Sequence, residues 1–110
     1  MMMLTAFTIS ASFCDDALIF TEEGRKPVSI PYHQHPEVFG HPRFFLADFD
    51  KSAALVSRAL KELAAGRLPL IAPKIAVSFD RPIQGGVTEM DKKIVGEILT
   101  SVGARKVVWK

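Results

Sequence analysis

The sequence predicts an α/β protein: a two-layer sandwich in which two helices cover one face of a five-stranded mixed sheet. Two segments carry apolar residues at helical spacing, and each is flanked by a short apolar run that is typical of a strand. Three more strand-like segments precede the first helix. Because 110 residues, 48% of them hydrophobic, suffice for one modest core, we expect a single domain over residues 1–110.

The first three strands are predicted from a period of two and from the turns between them. Residues 5–13 place Phe7, Ile9 and Phe13 on one face and small or polar residues on the other. A turn at Asp15 and Asp16 leads to a second strand over residues 17–21, and a hairpin turn over 22–25 leads to a third over 27–32. The third strand places Val28, Ile30 and Tyr32 on one side. A loop rich in histidine and proline follows over residues 33–43.

The first helix is predicted over residues 51–65, after an apolar segment at 44–47. Asp50 is a good N-cap because its carboxylate can accept a hydrogen bond from the first turn, and Gly66 is a good stop. The apolar stripe of this helix consists of Leu55, Val56, Ala59, Leu60 and Leu63.

The second helix is predicted over residues 88–102. Thr88 and Asp91 have the spacing of a capping box, with Asp91 in place of the more usual Glu or Gln, and Gly103 lies at the C-terminal stop. Its apolar stripe consists of Ile94, Val95, Ile98, Leu99 and Val102. Gly85 and Gly86 precede the helix as a flexible turn, since acidic residues in the first turn would repel a phosphate.

Strands at residues 74–80 and 105–109 complete the order β-β-β-α-β-α-β. Both β-α-β crossovers should be right-handed. If strand four lies beside strand one and strand five beside strand four, the strand order is 3-2-1-4-5 and both helices lie on one face. Ile75, Val77 and Phe79 would then meet the helices, whereas Ala76 and Ser78 would lie on the opposite face.

Two stretches of the last third resemble MreB-type bacterial actin-like proteins, which are rod shape-determining. They are residues 86–93, Gly-Val-Thr-Glu-Met-Asp-Lys-Lys, and residues 101–107, Ser-Val-Gly-Ala-Arg-Lys-Val. Residues 18–20 and 47–50 are also similar to segments of that family. The resemblance implies a ribonuclease-H-like fold, that of an actin-like ATPase half-domain, and a role in cell shape or the cytoskeleton.

The sequence departs from this family where nucleotide would bind. Counting from residues 18–20, the acid of the family's first phosphate loop falls on Ala11, the glycine on Phe13 and the threonine on Cys14. A phenylalanine would block the backbone approach that phosphate needs, and Ala11 also argues against metal-dependent nuclease chemistry. The family's other catalytic segments would lie beyond Lys110. We therefore expect no catalytic residues, no cofactor and no enzymatic activity.

Three histidines form a candidate metal site. His33 and His35 would project to the same side of an extended backbone, and His41 could fold back toward them. Without a thiolate or a fixed acid nearby, an ordinary polar loop is the alternative. A small metal-binding protein that uses this loop is one alternative function, and a degenerate fragment without activity is another.

The fifth strand is a candidate interface. In the order 3-2-1-4-5 it is an edge, where Val107, Val108 and Trp109 accompany unpaired backbone groups. Tryptophan is enriched among residues that anchor interfaces. The partner would be a full-length actin-like protein or a second copy of the chain.

Composition excludes several other functions. The net charge is +2 with interspersed signs, which does not favour nucleic acid, and no apolar run is long enough to span a membrane. Cys14 is the single cysteine, so an intramolecular disulfide is impossible and a cytoplasmic location is the default. We expect Asp15 and Asp16 to raise the pKa of Cys14, so we interpret Cys14 as structural.

Overall fold

The computed structural model describes residues 8–39, 48–64, 72–80 and 86–110. The elements in chain order are β1 (Thr8–Phe13), β2 (Ala17–Thr21), β3 (Val28–Pro31), a 3-10 helix (Tyr32–Gln34), α1 (Pro36–Phe39), α2 (Phe49–Leu63), β4 (Lys74–Phe79), α3 (Glu89–Ser101) and β5 (Lys106–Trp109). The predictions for residues 5–7 and 44–47 and for His41, Gly66 and Gly85 lie outside the described residues.

The five strands form one mixed sheet in the order β3-β2-β1-β4-β5, which confirms the predicted order. β2 pairs antiparallel with β1 and with β3, while β4 lies parallel to β1 and to β5. The register places Phe13 beside Phe79 and Val77 beside Trp109. The carboxyl ends of the three parallel strands therefore meet along one side of the sheet.

One cluster of buried side chains joins the sheet to both long helices. It takes alternate residues from the strands, together with residues of α2 and α3; its main members are Ile9, Ala11, Phe13, Leu18, Phe20, Ile75, Val77, Val56, Ala59, Leu63, Val95, Ile98 and Leu99. Since residues on one face of a strand recur every second position, α2 and α3 pack on the same face. This confirms that Ile75 and Val77 face the helices, and Phe79 is partly buried against the same cluster.

The start of α2 differs from the prediction. Its N-cap is Asp48, not Asp50, because the Asp48 carboxylate accepts a hydrogen bond of 3.0 Å from the Lys51 N–H. Asp50 instead lies in the first turn, where its negative charge interacts favourably with the positive end of the helix dipole. In the predicted stripe Leu55 and Leu60 are only partly buried, whereas Val56, Ala59 and Leu63 are buried.

The start of α3 confirms the predicted capping box. The Thr88 hydroxyl accepts from the Asp91 N–H at 3.2 Å, and the Asp91 carboxylate accepts from the Thr88 N–H at 2.9 Å. Gly103 follows the helix with a φ of +114°, a left-handed conformation that glycine adopts without a steric penalty. Local capping chemistry therefore fixes both ends of α3.

The predicted loop after the third strand is wrong in part. β3 ends at Pro31, and Tyr32 begins the 3-10 helix that leads to α1. The Tyr32 hydroxyl donates to the Cys14 carbonyl at 2.7 Å, and its ring lies 4.7 Å from that of Phe39. These contacts turn the chain inward at Tyr32, so that Val38 of α1 is buried.

Candidate functional site

The predicted metal site lacks the backbone geometry on which it was based. His33 lies within the 3-10 helix and His35 is its C-cap, so the two residues are not part of an extended segment. His35 Nδ1 lies 3.9 Å from a Glu37 carboxylate oxygen, and His41 is outside the described residues. Within the described ranges, no three histidine, cysteine or acidic side chains cluster as metal ligands would. The metal site remains a prediction.

Two of the residues that the resemblance aligns with a phosphate loop, Ala11 and Phe13, are part of the core. Ala11 and Phe13 are each only 1% exposed, and the Phe13 ring stacks on Phe79 at a centroid distance of 5.3 Å. The Phe13 carbonyl accepts a hydrogen bond from the Asp80 N–H at 2.8 Å. Phe13 therefore holds the ends of β1 and β4 together.

A small polar cluster lies at the same ends of β1 and β4, on the opposite face of the sheet. The Ser78 hydroxyl lies 3.0 Å from an Asp80 carboxylate oxygen and 3.1 Å from the Ser12 hydroxyl. Since an ionised carboxylate only accepts, Ser78 donates to Asp80 and accepts from Ser12.

Burial, and then the charges of Asp80 and Asp15, raise the pKa of Cys14. The predicted direction is therefore correct, although Asp80 rather than Asp16 contributes, and the neutral thiol is a poor nucleophile.

The candidate interface residues lie on the edge strand β5, which pairs only with β4 among the described residues. The Lys110 N–H donates to the Val77 carbonyl at 2.9 Å, as the register that pairs Val77 with Trp109 requires, so the backbone of Lys110 faces β4. The Arg105 N–H, which precedes β5, donates to the Pro73 carbonyl at 2.8 Å and lies one residue out of that register. Because N–H and C=O directions alternate along a strand, the backbone of Val108 also faces β4. The backbone groups of Val107 and Trp109 therefore point away from the sheet.

The side chains of β5 divide between the two faces of the sheet. Val107 and Trp109 line an open groove of about 720 Å³ between β5 and α3. Because side chains alternate along a strand, Val108 lies on the opposite face of the sheet, beside Ala76. The structure thus brings Val107 and Trp109 together and separates them from Val108. The helix side of the groove includes Lys93, Gly96 and Glu97.

Trp109 is held in place from several sides. Its ring stacks on Phe79 at 6.1 Å, and the Lys92 ammonium lies 6.0 Å from its centroid, at the outer limit of a cation-π contact. A Cβ added to Gly96 would lie 3.6 Å from the indole, so the ring packs closely over the helix backbone at that glycine. The indole therefore forms a preorganised floor for the groove.

The other edge of the sheet, β3, has a different set of outward groups. The Tyr32 N–H donates to the Asp16 carbonyl at 3.0 Å, so by alternation Val28 and Ile30 face β2. Ser29 and Pro31 therefore point outward, and Pro31 has no N–H to donate. Within β3, Ser29 supplies the one outward N–H.

Sequence reasoning identified Val107 and Trp109 but not the helix side of the groove. The available signal was Gly96, which lies inside a predicted helix. A glycine there weakens the helix, so its presence indicates that a neighbouring group packs closely against the helix backbone. That Trp109 packs on Gly96 depends on the rotation of α3 over the sheet, which the apolar stripe determines only coarsely.

Comparison of the chain with protein families, with curated proteins and with solved structures gave no match in any of the three. The resemblance to MreB-type proteins therefore rests on the residues quoted above. Among the described helices, none is long and apolar enough to cross a membrane.

Proposed function

We propose that this chain is a noncatalytic module that binds other proteins through β5 and the adjoining groove. The observation that carries the proposal is the outward direction of the Val107 and Trp109 backbone groups beside a groove with an aromatic floor. An exposed strand edge supplies main-chain hydrogen bonds to an added strand, and adjacent pockets take alternate side chains. Trp109 is a residue type that commonly anchors interfaces.

The finer proposal is an actin-like half-domain of the ribonuclease-H-like fold, similar to the first half of MreB, that acts in cell-shape or cytoskeletal biology. Its support is the order of the quoted motifs together with the strand order 3-2-1-4-5. A module that carries part of a filament protomer's surface could cap or compete with a full-length actin-like protein.

The binding mode can be tested without knowledge of the partner. A random peptide library is selected against the intact chain, and each binder is mapped by the amide NMR shifts of the labelled protein. We expect the largest shifts at Val107 and Trp109, and we expect Val107→Pro to abolish binding, because proline removes an outward N–H.

The other edge offers a matched control. Ser29→Pro makes the same chemical change at an outward position of β3 and should leave binding intact. The proposal is contradicted if selection gives no binder, if the shifts map to another surface, or if Val107→Pro binds as well as the wild type while keeping its native spectrum.

The noncatalytic part of the proposal has its own test. We expect ATP and GTP to bind with dissociation constants no lower than about 1 mM, because Phe13 packs in the core where the family has a phosphate-binding glycine. Calorimetric titration with magnesium measures this, and micromolar affinity would contradict it. For the finer proposal, a native pull-down should recover a full-length actin-like protein with the wild type and lose it with Val107→Pro.

A further inference from the structure

The charges around β5 are predominantly positive. Lys106 lies beside Lys74 in the parallel ladder, and Lys110 follows on the same face of the strand. On the groove side, Lys92 pairs with Glu89 at 4.0 Å, while Lys93 and Arg105 have no ion-pair partner among the described residues. Glu97 also lines the groove, but cations outnumber carboxylates there, so an added strand would lie beside a net positive charge on both faces of the sheet.

A second copy of this chain fits that environment poorly. Two antiparallel β5 strands that both use their Val107 and Trp109 backbone groups must be centred on Val108. That register sets Lys106 of each copy opposite Lys110 of the other, and like charges directly opposite in a sheet are destabilising. The edge is suited to strand addition but its charges oppose self-pairing.

We infer that the partner presents an extended segment with acidic residues at two positions four apart, opposite Lys106 and Lys110. This inference rests on the proposed function and specifies its partner. The residues opposite Val107 and Trp109 enter the groove over the indole and should be small and apolar. The residue opposite Val108 lies on the other face of the sheet, where a β-branched side chain packs well.

The probe is the capped peptide Ser-Glu-Val-Thr-Val-Glu-Ser, with two matched analogues in which both Glu residues are replaced by Gln or by Lys. Trp109 is the chain's single tryptophan, so its fluorescence reports occupancy of the groove. We expect the Glu peptide to bind roughly tenfold more tightly than the Gln analogue, since each acid gains a cation on an exposed strand, and the Lys analogue to bind most weakly. Added salt should narrow these differences.

The double variant Lys106→Glu with Lys110→Glu provides the reciprocal test. It should reverse the order of affinities, with the Lys analogue now the tightest, because the peptide's charges meet carboxylates. Both lysines are exposed, so the variant should keep the native amide spectrum. An unchanged order in a folded variant would contradict the inference.

The outcomes separate this inference from the proposed function. Equal binding of the Glu and Gln peptides at β5 overturns the acidic partner but leaves strand addition intact. Library binders that depend on Val107 yet carry no acidic residues would also overturn the acidic partner while leaving strand addition intact. The absence of any peptide that binds at β5 would overturn both the acidic partner and the proposed function. A concentration-dependent dimer that Val107→Pro abolishes, or a single-stranded oligonucleotide that displaces the Glu peptide, would assign the edge to a different partner.

Discussion

The two edges of the sheet are about equally long but expose different chemistry. β3 and β5 each contain four residues and each pairs with one strand among the described residues. At β3 the outward positions are Ser29 and Pro31, and the chain then turns into the 3-10 helix. At β5 the outward positions are Val107 and Trp109, and both keep their N–H groups.

This difference shows how a small sheet can protect one edge while leaving the other available. Proline at an outward position removes a donor without disturbing the inner ladder, which is a common device against edge-to-edge association. The β5 edge lacks that device and relies on like charges, which oppose a second copy but not an acidic partner. Protection by charge is therefore selective, whereas protection by proline is general.

The largest expected effect concerns the helices that support the two edges. Ile98 of α3 is fully buried, so Ile98→Ala should lower the free energy of unfolding by about 2–5 kcal/mol. Leu60 of α2 is only partly buried, so Leu60→Ala should cost less than about 2 kcal/mol. Urea denaturation measures both, and equal losses would mean that the helix faces are assigned wrongly.

A proline scan of β5 should give the next largest effect. The ladder assigns the Val108 N–H to the Ile75 carbonyl, so Val108→Pro should leave a buried acceptor unpaired and cost at least about 1–3 kcal/mol. Val107→Pro changes an outward group and should cost less than about 1 kcal/mol. Thermal denaturation compares them. If Val107→Pro proved the more destabilising, the directions of the backbone groups in β5 would be reversed.

Much of the fold could be predicted because it depends on local chemistry. The alternation in β1, the capping box of Thr88 and Asp91 and the stop at Gly103 are all fixed by residues close in sequence. The order 3-2-1-4-5 was assumed from which strands could be neighbours, and right-handed crossovers then place both helices on one face. The prediction of Asp50 as N-cap was wrong because Asp48 precedes the same apolar stripe and its carboxylate caps the helix instead.

The candidate site could be predicted only in part. A period of two separates Val108 from Val107 and Trp109, but it does not say which backbone groups face the neighbouring strand. That phase is set by the pairing of Lys110 with Val77, a contact between residues far apart in the chain. Likewise, the turn at Tyr32 depends on its hydrogen bond to Cys14, so a continued strand was the natural expectation from sequence.

The smallest expected effect tests whether Pro31 is what closes the β3 edge. Pro31→Val would restore an outward N–H two residues from that of Ser29, giving β3 the same pair of donors that β5 has. Its stability should change by less than about 1 kcal/mol, mainly because the unfolded chain regains the freedom that proline removes. The informative readout is association: in sedimentation over a concentration series, the variant should self-associate more than the wild type, and Ser29→Pro in the same background should reverse the gain. A variant that stays as monomeric as the wild type would show that α1 and the 3-10 helix protect this edge without the proline.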